Sequence, residues 1–96
     1  MKRSYEITYI VTPNLGEEDQ KAVEDRVVGW IDSAGGEIKN SSHWGRRRLA
    51  YPIAQNREGY YIFLEADLEP DQVGEFERRM AIDVNIIRHL LVRAEE

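Results

Sequence analysis

The apolar stripe Val23, Val27, Trp30, Ile31 and Ala34 constrains the fold of this chain more than any other feature. Its spacings of four, three, one and three residues place all five side chains on one face of a helix. Glu17, Glu18 and Asp19 set negative charge against the positive end of the helix dipole, and Gly16 or Asn14 can open the helix. Gly35-Gly36 supplies a left-handed stop. The pattern predicts a helix from about Glu17 to Ala34, with one face that must be covered.

The flanking segments change period from 3.6 to two. Tyr5, Ile7, Tyr9 and Val11 alternate with Glu6 and Thr8, which reads as a strand over Tyr5 to Val11. Ile10 breaks the polar face and points to a central strand with apolar cover on both sides. Pro13 cannot donate to a ladder, so Thr12-Pro13-Asn14 ends it. Glu37 to Ile53 reads as a long strand with a defect. Ile38 and Leu49 have opposite parity, and a bulge at Trp44-Gly45 would let one face bury both. Pro52 suits an edge strand. Gln55 to Gly59 is turn material, and Tyr60 to Leu68 is a strand. Ile62, Leu64, Ala66 and Leu68 face one way there, and Tyr61, Phe63, Glu65 and Asp67 the other.

A second helix starts at Pro70 and carries Val73, Phe76 and Met80 to about Ala81. Ile86 to Arg93 is the last strand; its core parity is open, because Leu90, Leu91 and Val92 are all apolar. Ala94-Glu95-Glu96 forms a short frayed end. Lengths add a constraint. Seventeen residues from Glu37 to Ile53 span roughly 55 Å if straight, whereas the first helix is only about 27 Å long. The hairpin must therefore bend or project past the helical layer.

The order is β-α-β-β-α-β. Two right-handed split crossovers place the first and third strands centrally, the second and fourth at the edges, and both helices on one face. The expectation is an α+β, ferredoxin-like fold with a four-stranded antiparallel sheet, occupying residues 1–96 as a single domain. Hydrophobic residues, at 42%, suffice for a modest core. Cysteine is absent, which removes disulfides, thiolate nucleophiles and cysteine-based zinc sites. No apolar run approaches the length of a membrane span, and the N-terminus enters a strand pattern without a signal-peptide core.

Charge is distributed unevenly. The net charge is −5, yet residues 43–57 contain four arginines (Arg46, Arg47, Arg48, Arg57) and no acid. Such a reversal of sign fits either an anionic partner or a solvated strand paired with the chain's own carboxylates. Catalysis has little support. His43 and His89 lie on different strands with no partner readable from spacing, the acids sit on helical solvent faces, and no phosphate loop or acylphosphatase-type loop is present. An RNA-recognition motif is also disfavoured. Glu58, Tyr61 and Ile62 occupy third-strand positions that ask for a basic, a small and an aromatic residue. No residue argues for an ACT-like small-molecule domain, and no metal or cofactor site is expected.

The block Trp44-Gly45-Arg46-Arg47-Arg48-Leu49-Ala50-Tyr51-Pro52-Ile53, followed by Glu58-Gly59-Tyr60, resembles bacterial small-subunit ribosomal protein six. Arg3-Ser4-Tyr5-Glu6, Asn14, Ile87-Arg88 and Leu90-Leu91-Val92-Arg93 extend the resemblance over essentially the whole chain. It implies a cytoplasmic, non-enzymatic structural protein of the small ribosomal subunit. Such a protein binds the central domain of small-subunit (16S) ribosomal RNA together with a basic partner, small-subunit protein eighteen, in a heterodimer. Arg47, Arg48 and Tyr51 match the family's arginine pair and tyrosine; Arg46 falls on a position that is not always basic. Lys2, Arg3, Arg88 and Arg93 match basic positions that would contact phosphate. The alternative is a ligand-sensing or protein-interaction domain of the same fold.

Overall fold

The computed structural model describes residues 1–53 and 55–94; Glu95 and Glu96 of the expected frayed end lie outside them. Strand β1 (Arg3–Val11) leads to helix α1 (Glu17–Ser33) and then to strands β2 (Glu37–Ile53) and β3 (Asn56–Leu68). A 3-10 turn (Pro70–Gln72), helix α2 (Val73–Ile82) and strand β4 (Ile86–Arg93) complete the order. All strand pairs are antiparallel, in the order β2-β3-β1-β4. This is the expected ferredoxin-like arrangement.

Gly16 caps α1 with extended backbone and no side-chain hydrogen bond, leaving Glu17, Glu18 and Asp19 to meet the dipole. At the other end Gly35 takes φ +71°, and the Gly36 amide donates to the Ile31 carbonyl at 2.9 Å. This closure satisfies carbonyls the helix would otherwise leave open. Val23, Val27 and Ile31 from α1 and Phe76 and Met80 from α2 pack on Tyr5, Ile7, Tyr9 and Val11 of β1 and Ile62, Leu64, Ala66 and Leu68 of β3. Pro70 starts a 3-10 turn rather than α2 itself, which begins three residues later.

Both edge strands are tied to the helices by histidine. His43 on β2 meets Glu24 of α1 at 2.8 Å, and His89 on β4 meets Glu77 of α2 at 3.2 Å. The register resolves the parity of β4. Leu91 and His89 lie opposite Ile7 and Tyr9 on the helical side, so Leu90 and Val92 face the open side.

The long strand β2 departs from expectation in one informative way. Its register against β3 shifts at Trp44-Gly45, where Gly45 adopts φ +82°, and also between Ile38 and Asn40. Two shifts restore the original parity, so Ile38 and Leu49 stay on opposite faces. Leu49 is nevertheless only 7% exposed. The reason is that β2 bends: the molecule's longest dimension is 38 Å, too short for a straight strand of roughly 55 Å. The end of the β2–β3 hairpin folds over the open sheet face and covers Leu49 itself. Pairing also runs closer to the tip than expected, with Ile53 opposite Asn56. Most of the predicted turn over residues 55–59 is strand.

Candidate nucleic-acid interface

The bend brings together residues that the flat sheet would separate. Strands β2 and β4 are three spacings apart, roughly 14 Å in a flat sheet. Yet the Arg88 guanidinium on β4 donates to the Tyr51 hydroxyl on β2 at 2.5 Å. Between them lies a cavity of about 270 Å³ whose walls include Ile10, Leu49, Tyr61 and Leu90. Gly59 permits the crossing. A Cβ there would stand 2.3 Å from Ile10 Cγ2 and 3.3 Å from the Val11 carbonyl, so any side chain would hold the arm away from the end of β1.

The three consecutive arginines have different surroundings. Arg46, opposite Tyr60, donates to Glu58 Oε1 at 3.0 Å and to the Pro13 carbonyl at 2.9 Å. Its guanidinium carbon lies 5.3 Å from the Tyr60 ring centre. Tyr60 first, and then Glu58, hold this guanidinium more firmly protonated than a free arginine. Arg46 thus fastens the hairpin to the loop after β1. Arg47 lies opposite Gly59 on the other face and, among the described residues, donates only to the Trp44 carbonyl, at 3.1 Å. Arg48 is exposed and makes no hydrogen bond or ion pair among the described residues. Only one of the three is therefore neutralised by the chain's own acids among the described residues.

The remaining candidates divide by location. Arg88 and Tyr51 join the hairpin end. Lys2, Arg3 and Arg93 do not: Arg3 pairs with Leu68 and Arg93 with Tyr5, at the opposite end of the sheet. Nine residues of β1 separate the two ends by roughly 27 Å.

Sequence reasoning missed the aromatic stack beside the arginines. Trp44 lies parallel to Tyr61 and Phe63, with ring centres 6.3 Å and 5.8 Å away, and remains 46% exposed. Its signal was present in the bulge, which frees Trp44 from pairing, and in the two aromatics on the open face of β3.

Together these features define a ferredoxin-like scaffold with an open sheet face and a basic hairpin. Among the described residues no group of three or more histidines and carboxylates could hold a metal ion, and no helix is long and apolar enough to cross a membrane. The sequence model of the family described as ribosomal protein S6 matches residues 4–93, and the chain belongs to that family. The 30S ribosomal protein S6 of Thermotoga maritima superposes with a TM-score of 0.92 at 28% identity, over 98% of this chain and 89% of that one. Two further structures share the fold alone. An uncharacterized protein of Thermotoga maritima has a TM-score of 0.63 at 18% identity, covering 99% of this chain and 100% of its own. The C-terminal domain of the MgtC protein of Mycobacterium tuberculosis has a TM-score of 0.67 at 9% identity, covering 98% and 89%. As a member of the S6 family the chain is a structural component of the small ribosomal subunit, not an enzyme.

Proposed function

We infer that the chain, acting in the cytoplasm on the ribosome, binds the central domain of small-subunit ribosomal RNA through its hairpin end, paired with the basic small-subunit protein eighteen. The observation that carries this reading is the state of the arginine block. Arg47 and Arg48 form no ion pair among the described residues, although Glu58 stands opposite Arg48 in the ladder and the chain carries an excess of acids. Arginines left uncompensated at one pole of an acidic molecule are suited to phosphate. An acidic protein gains little RNA affinity from its overall charge, so a basic partner supplies what the net charge of −5 lacks. Arg88 and Tyr51 join the same contact, and Lys2, Arg3 and Arg93 serve a second phosphate contact at the far end. Arg46 acts by positioning the arm.

A salt series on RNA binding by the paired proteins tests this assignment. Arg47→Ala or Arg48→Ala should flatten the log–log salt slope by up to ~1 per lost phosphate contact, and Arg46→Ala by less. Unchanged affinity and slope for both would remove Arg47 and Arg48 from the RNA contact.

A further inference from the structure

We propose that the crevice between α1 and β2 is a hydration site, where an ordered water joins the Tyr9 hydroxyl to Glu24 and Ser41. The inference is independent of the RNA reading above. The crevice has a volume of about 110 Å³, and Tyr9, Glu24, Ser41 and His43 line it among aliphatic side chains. Tyr9 is 1% exposed, and its hydroxyl makes no hydrogen bond with a described residue. A phenol withdrawn from water without a partner costs free energy that phenylalanine would not. Yet among the described residues no side-chain nitrogen or oxygen is both fully enclosed and without a partner. The Tyr9 hydroxyl is therefore not sealed in; it faces a space that water reaches.

Two acceptors stand on the same walls. Glu24 gives its Oε1 to His43 at 2.8 Å, and its second oxygen has no hydrogen bond among the described residues. Ser41 is brought in by the second register shift of β2. An unbroken alternation from Ile38 would turn Asn40 and Ser42 toward α1. The shift instead sets Asn40 opposite Glu65 on the open face, and Ser41 opposite the core residue Leu64. A water here accepts from the Tyr9 O–H and donates to Glu24 and to Ser41 Oγ, the ~3 hydrogen bonds usual for an internal water. It thereby joins the central strand β1 to the edge strand β2, two spacings away. Other occupants fit less well. The volume lies far below the ~300 Å³ at which small-molecule sites begin, and a metal ion would find one carboxylate, already engaged by His43.

A high-resolution crystal structure of the unmodified chain tests the site. It should show a water within hydrogen-bond distance of Tyr9 Oη, Glu24 and Ser41 Oγ. In solution, magnetic relaxation dispersion of the solvent should count about one fewer long-lived water in Tyr9→Phe. Tyr9→Phe and Ser41→Ala each remove one partner of the same water. Their effects on the unfolding constant should therefore depart from simple multiplication by at least ~2-fold. A Tyr9 hydroxyl bonded directly to Glu24, or a crevice without water density, would overturn the proposal. So would an unchanged count of long-lived waters in Tyr9→Phe, or effects of the two substitutions that simply multiply.

Discussion

Tyr9 is 1% exposed in the core. Burial first, and then the nearby Glu24 carboxylate, push its hydroxyl pKa well above the ordinary tyrosine value. In the unfolded chain that value returns to about 10. The folded state therefore keeps a proton that the unfolded state releases. The resulting stability is full below the unfolded pKa and is lost as pH rises toward the folded one. Tyr9→Phe removes this dependence. Urea midpoints measured between about pH 9 and about pH 11 should fall more steeply for the unmodified chain than for Tyr9→Phe, and parallel slopes would contradict the assignment. The arginines make a related point about single residues. Arg46, Arg47 and Arg48 are chemically identical neighbours, yet strand alternation and one carboxylate, Glu58, give them different surroundings.

At the level of elements, the β2–β3 hairpin is where sequence and structure part. Strand order, both helices and the capping of α1 were legible because period and punctuation agree: the stripe from Val23 to Ala34 ends at Gly35-Gly36. The bulge at Gly45 lies where expected, but not for the expected reason, since Ile38 and Leu49 remain on opposite faces. A second shift near Lys39 was not legible, because Ile38 to Ser42 carries neither glycine nor proline to mark it. The tight turn was masked similarly; Gln55 takes φ +65° where glycine or asparagine would ordinarily announce it. The direction of the bend was illegible for a different reason: it depends on Leu49 lining one cavity with Ile10 and on Arg88 reaching Tyr51, which joins strands distant in sequence. Gly59→Ala tests the crossing. Its Cβ, 2.3 Å from Ile10 Cγ2, should destabilise the fold by about 1–3 kcal/mol in urea denaturation. A variant as stable as the parent would mean the arm does not lie against β1.

The molecule as a whole is polarised. One end carries the basic hairpin, the middle of the open face is aromatic and aliphatic, and paired carboxylates occupy the rest. The opposite side is the helical layer, whose exposed residues include Glu17, Glu18, Asp19 and Asp25. On the proposed reading, an acidic protein built this way meets RNA chiefly with its hairpin pole, and Lys2, Arg3 and Arg93 add a second contact at the far end. The absence of cysteine makes that claim directly measurable, since a single introduced thiol is a unique attachment point. A hydroxyl-radical probe tethered through Gln55→Cys at the hairpin tip, or through Asp32→Cys on the last turn of α1, can be carried into assembled small subunits. Central-domain RNA should be cleaved strongly from the hairpin tip and little above background from the helical site. Stronger cleavage from Asp32→Cys than from Gln55→Cys would contradict it.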